Sequence, residues 1–286
     1  MKRNKLACCL LLFASLSYGQ EDLLELLESE TSDDKNYATA TFKSTRIING
    51  HSIETRTNGT LEFIIAHRFG TIDSGVNDLW GLDRSSIRLG LEYGLTDNLT
   101  IGIGRASLDK TLDAFGKYRI LRQSNASPIT ATVFASFARN IDENANESGI
   151  ERNVYTGQVL LARKFNSSFS LQVSPTFMQR NRVATRQDDN FLIALGVGGR
   201  YKLSNRVALV AEYYPQLSDF DEQFFNAVAF GVDIETGGHV FQLHFTNAQQ
   251  MNEKGFIGET SEDFWDGGIH YGFNIVRVFD LKPRLR

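Results

Sequence analysis

Five histidines, His51, His67, His239, His244 and His270, and the serine beside the first, Ser52, are the residues of this chain best suited to chemistry. Imidazole is the side chain that most readily trades protons near neutral pH or binds a metal. A hydrolase needs a hydroxyl within reach of a base that a third group orients. His51 and Ser52 are neighbours in sequence, and on an extended chain neighbours point to opposite faces. The pair therefore reads as non-catalytic, and a lipid hydrolase built on it stays a remote alternative to a chain that is no enzyme. The histidines show no H-E-x-x-H spacing and no closely spaced metal set, so no cofactor is expected. His244 and His270 lie on the last two regular segments, where both would point inward as polar lining.

The charges say more. Glu62, Arg68, Arg88, Glu92, Asp113, Lys117, Arg119, Arg200 and Glu212 all fall on one face of strand-like runs whose other face is apolar. In residues 86–107, SIRLGLEYGLTDNLTIGIGRAS, Ile87, Leu89, Leu91 and Tyr93 alternate with Arg88, Gly90, Glu92 and Gly94, and a polar turn at Thr96-Asp97-Asn98 returns the chain. That unit recurs. About twelve such runs succeed one another, at 60–70, 84–94, 98–107, 111–122, 128–139, 153–165, 168–180, 190–203, 206–214, 224–235, 239–247 and 268–279. Most have the length of a tilted strand crossing a bilayer.

Connections between them alternate between short turns and longer loops rich in Asp, Glu, Asn and Gly, with 107–111 as the short exception. The expectation is an all-β fold, a closed antiparallel up-and-down transmembrane β-barrel of about 12 strands with a short helical N-terminal segment. Outward rows such as Phe169, Leu171, Val173, Pro175 and Phe177 would face lipid. The inward face reads as polar or small, with Gln172, Ser174, Thr176, Asn226 and Asn274 among the charges. Lone charges there must pair across the lumen or meet water. Tyr118, Tyr155, Phe165, Tyr201 and Tyr213 near strand ends suit interfacial girdles.

The chain ends carry different signals. Residues 1–19 combine Lys2, Arg3 and Lys5 with an apolar run and the small-x-small site Ser17-Tyr18-Gly19, which predicts a signal peptide. Both cysteines, Cys8 and Cys9, fall inside it. Losing the leader moves the formal charge from -4 to -7; residues 20–39 hold seven acids against Lys35, so the rest of the chain is nearly neutral. Nothing in that balance suits nucleic acid. Residues 20–58 read as an acidic helix followed by a pre-barrel or lumen segment, in which Asn49-Gly50 signals a turn and Arg46, His51, Glu54 and Arg56 are candidates to lie in the lumen. Residues 59–279 are the barrel and 280–286 a tail.

With FKSTRIINGHSIET at 42–55, GTLEFIIAHRFG at 59–70 and the 86–107 unit in view, the chain resembles an uncharacterised β-barrel family of Bacteroidota outer membranes, a domain-of-unknown-function family. The likeness runs from about residue 40 to Phe279. It implies a barrel and a compartment, the bacterial outer membrane, and supplies no catalytic residues. One departure is the tail after Phe279, where many outer-membrane barrels end on an aromatic residue.

Two roles are expected. The first is a passive pore or uptake barrel for small solutes in outer-membrane lipid. The second is a non-conducting barrel that anchors or binds another envelope protein, through residues 20–35 or the 248–267 loop with Phe256, Phe264 and Trp265.

Overall fold

The computed structural model describes residues 36–145, 149–181, 190–218 and 224–281. The chain divides after Asn36 into two compact units, and the barrel belongs to the second, Tyr37–Arg286. The leader, the acidic helix and residues 282–286 lie outside the described residues.

Twelve strands form one closed sheet: β1 (Thr60–Thr71), β2 (Ser85–Gly94), β3 (Leu99–Ala106), β4 (Thr111–Leu121), β5 (Thr130–Asn140), β6 (Asn153–Lys164), β7 (Phe169–Arg180), β8 (Phe191–Lys202), β9 (Val207–Tyr214), β10 (Ala227–Thr236), β11 (His239–Thr246) and β12 (His270–Asp280). Each pairs antiparallel with its sequence neighbour, and β1 closes the barrel against β12 from Thr60↔Asp280 to Thr71↔His270. No edge is left to pair with another chain.

Strict alternation drives the closure. In β1 every second residue from Thr60 is buried, and β2 repeats the pattern from Ser86. Outward positions such as Ile103, Phe177, Phe191, Ile193 and Phe230 are exposed large hydrophobics, as are the strand-end residues Tyr118, Tyr155, Phe165, Tyr201 and Tyr213. An apolar outer wall of this kind is stable only in lipid.

The inner face departs from the expected polar or small lining. Phe115, Phe134, Leu160, Met178, Leu192, Val210 and Tyr214 also point inward and are buried. Apolar side chains on an inner wall need apolar cover, and the chain supplies it twice. Residues 41–57 occupy the lumen beneath one cluster, and a short helix, α1 (Glu253–Gly258), fills the other from within the long connection between β11 and β12. Asn226, placed on an inward strand face by its pattern, instead precedes β10 and bonds the Gln216 backbone N–H and the Tyr213 hydroxyl.

Candidate functional site

The candidate site is the lumen and what fills it. Residues 45–52 fold back as a tight hairpin: Ser52 N–H donates to Thr45 O at 2.9 Å and Ile47 N–H to Gly50 O at 2.8 Å. Its turn runs through Ile48 and Asn49 to Gly50, which pairs back to Ile47. Gly50 is required by close approach, because a Cβ there would overlap the Tyr214 hydroxyl. The same holds on the wall at Gly198, where a Cβ would meet Ile47 Cδ1 at 2.5 Å.

The wall holds this hairpin largely by its backbone. Glu212 accepts from the N–H groups of Ile48, Asn49 and Gly50, the shortest at 2.7 Å. Gln172 accepts from Ile53 N–H and donates to His51 O, and Lys117 donates to Thr45 O. Gln242 and Asn274 reach Ile47 O and Ile48 O, while Arg68 donates to the Asn49 side chain at 2.9 Å. A strand-less segment must satisfy its backbone somewhere, and here inward side chains of β4, β7, β9, β11 and β12 do much of it. Apolar contact completes the seat: Phe42, Ile47, Ile48 and Ile53 pack with Phe115, Phe134, Leu160 and Val210.

Ion pairs lock the rest. Arg88 forms a two-pronged pair with Asp113, its Nε at 2.9 Å from Oδ1. Arg56 pairs with Glu62 at 3.0 Å, and Thr45 donates to the same carboxylate at 2.7 Å. Glu92 faces Arg46 at 3.9 Å. Arg46 also lies 3.8 Å from Glu253 of α1, and His51 3.6 Å from the same carboxylate. Among the described residues the buried charges are six cations and six anions. The filled lumen is thus close to electroneutral, which is what burial of so many charges requires.

Of the inward charges expected from sequence, Glu62, Arg68, Arg88, Glu92, Asp113, Lys117, Arg200 and Glu212 are buried. Arg119 sits apart. It is half-buried at the 95–98 turn, donating to Asn98 Oδ1 and Asp97 O. Arg46 and His51 are buried in the hairpin, and Glu54 and Arg56 lie near the short-turn mouth, where Glu54 accepts from Phe42 N–H.

Ser52 and His51 are both fully buried because the hairpin is enclosed on all sides, so the opposite-faces expectation does not apply to exposure. They form no nucleophile–base pair. The Ser52 hydroxyl donates to Ser44 O at 2.6 Å, and the His51 ring lies between Phe115 and Phe134, each 4.4 Å away. Burial and the cations Arg46, Lys117 and Arg88 hold the His51 pKa well below its ordinary value. His244 and His270 point inward as buried residues, and the described residues contain no cluster of three or more metal-ligating side chains.

Sequence reasoning missed α1. Phe256, expected in an exposed docking loop, is wholly buried in the barrel, whereas Trp265 of the same connection is 85% exposed. The helix is six residues long, too short to persist by itself. Packing holds it: Phe256 meets the edge of Tyr214 at 5.0 Å, and Met178, Leu192 and Ala227 surround Phe256 and Ile257. The signal was present in those unexplained inward hydrophobics of β7 to β10.

Geometry therefore defines a closed twelve-stranded β-barrel with an occupied lumen. Residues 42–279 match the family described as membrane bound beta barrel domain (DUF5777), and the chain belongs to that family. Solved structures similar to it include a NanC porin (TM-score 0.47, 11% identity, covering 78% of this chain and 100% of that one) and a KdgM porin (0.47, 8%, 77% and 99%). An outer membrane channel from Pseudomonas putida F1 is also similar (0.45, 15%, 79% and 98%). Comparison with curated proteins gives no match.

Proposed function

We propose that this membrane-bound barrel is a gated solute pathway of the bacterial outer membrane that rests closed. One observation carries the reading: a hairpin held by Glu212, Gln172, Lys117, Gln242 and Asn274 fills a lumen whose wall, beside the apolar patch of Phe115, Phe134, Leu160 and Val210, carries many hydrogen-bonding and charged groups. A wall built only to be a solid core would carry apolar residues, since buried polar groups add cost unless each is paired. Removing the hairpin would leave those groups to water and open a hydrated path. Solute influx into proteoliposomes tests this. The full chain should admit small sugars no faster than empty vesicles, and a chain lacking residues 41–57 should admit them freely; equal influx through both would overturn it.

A second reading, a non-conducting barrel that binds another envelope protein, draws on the loop rim, where Val76, Leu79, Trp80 and Trp265 are exposed. Influx that stays at the vesicle baseline in a folded chain lacking 41–57 would favour it.

A further inference from the structure

We propose that α1 and the 41–57 hairpin act as one coupled gate, so that displacing the helix on the loop side frees the hairpin that fills the lumen, and the reverse. The proposal rests on reading the filled lumen as a resting closed state. Its basis is that two residues serve both fillers at once.

Glu253, the first residue of α1, is buried against Arg46 at 3.8 Å and His51 at 3.6 Å, both on the hairpin. Tyr214 on β9 packs its ring on Phe256 of α1 and its hydroxyl on the backbone of Gly50 in the hairpin turn. Each filler therefore completes the other's environment. If α1 leaves, Arg46 loses one of its two neighbouring carboxylates, keeping Glu92 at 3.9 Å and its bond to Asn49 O, and Tyr214 loses the ring that backs it against Gly50. If the hairpin leaves, Glu253 loses its contacts with Arg46 and His51. Each half-filled state loses the Glu253–Arg46 contact or the Tyr214 packing that the remaining filler relied on, so the cost of removing one filler falls on the other. That is the condition for two-state behaviour and for reciprocal coupling between sites.

The two fillers are also anchored at opposite ends of the barrel. α1 belongs to the long connection between β11 and β12, whereas the segment leading to the hairpin is tied at the short-turn mouth. There Ala38 N–H donates to Gln123 O, and Thr39 O accepts from Lys164. A pull on the loop connection is thus transmitted through Glu253 and Tyr214 to the other mouth.

Cysteine accessibility tests the coupling in the full chain carrying Cys8→Ser and Cys9→Ser, reconstituted in liposomes. Ser52→Cys reports on the hairpin and Ile257→Cys on α1, each read by its rate with a membrane-impermeant maleimide. Glu253→Gln and Phe256→Ala should each speed labelling of Ser52→Cys by about tenfold or more, and Glu212→Ala should do the same for Ile257→Cys. Circular dichroism confirms that each variant keeps its barrel. Unchanged Ser52→Cys labelling in both α1 variants overturns the coupling while leaving the closed lumen in place. Labelling of Ser52→Cys at the rate of an exposed cysteine in the parent overturns the closed lumen itself, and the coupling with it.

Discussion

The hairpin and α1 fill one barrel by different physics. The hairpin is held through its backbone: Glu212 alone accepts from three consecutive residues, and Gln172, Gln242, Asn274 and Lys117 add directional bonds. α1 is held by an apolar cluster of Phe256, Ile257, Met178, Leu192 and Tyr214, with its N-cap Asn252 accepting from Gly255 N–H. Directional bonds specify one position and resist sliding; apolar packing is stronger per residue and indifferent to small shifts. The hairpin is therefore the element of defined register, and α1 is the lid pressed upon it.

Phe256→Ala should produce the largest effect, since truncating a fully buried phenylalanine costs about 3–5 kcal/mol. Hydrogen exchange at the α1 amides reads it, and loss of protection at high salt should match that at low salt. If Glu253→Gln exposes α1 more than Phe256→Ala does, the assignment of α1 to apolar packing is wrong.

Glu212→Gln comes next. The amide keeps one acceptor oxygen but loses the charge that three N–H groups share, a cost of about 2 kcal/mol. Exchange should quicken first at residues 48–50. Uniform quickening along 41–57 would mean that apolar packing, and not the Glu212 bonds, sets the hairpin's position.

A third effect depends on pH and involves His51, faced by Arg46, Lys117, Arg88 and Glu253. Its pKa is held down in the closed lumen and returns toward about 6.5 once solvated. A group depressed in the closed state contributes stability above its solvated value, and that stability is lost as pH falls toward its closed-state value. The hairpin should therefore loosen below about pH 6.5, by at most about 1.4 kcal/mol per pH unit. Burial raises the Glu253 carboxyl, so that residue contributes with the opposite sign: its share is present at low pH and lost as pH rises. Hairpin exchange tracked from neutral to mildly acid pH should thus show a steeper loss in Glu253→Gln, and in His51→Gln no loss but a slight gain from the remaining Glu253. An unchanged profile in His51→Gln removes the histidine from the account.

The smallest effect belongs to the short-turn mouth. Lys43 pairs with Glu235, but the partners are 21% and 40% exposed, so Lys43→Gln should shift hairpin stability by no more than about 0.5 kcal/mol. A larger change would place the hairpin's hold at the mouth instead of deep in the lumen.

The barrel itself was legible because period-two alternation is a local property: once Ile87, Leu89 and Leu91 share a face, so must Arg88, Gly90 and Glu92. The Asn49-Gly50 turn was legible for the same reason. What the chain hides is the content of the lumen. Glu212 meets Ile48 across 164 positions, and Gln242 meets Ile47 across 195, so neither partner marks the other. Phe115, Phe134, Leu160 and Met178 broke the expected polar lining, and that mismatch pointed to filling segments without naming them. α1 escaped notice because six residues cannot show helical periodicity, and its Glu253, Lys254 and two glycines match an ordinary surface loop.

Single-channel recording from the full chain in a planar bilayer, beside the chain lacking 41–57, tests the closed lumen most directly. A barrel plugged by the hairpin should be silent at full length apart from rare openings, and should show long-lived open steps once the hairpin is gone. Long-lived steps of equal size from both chains would contradict it.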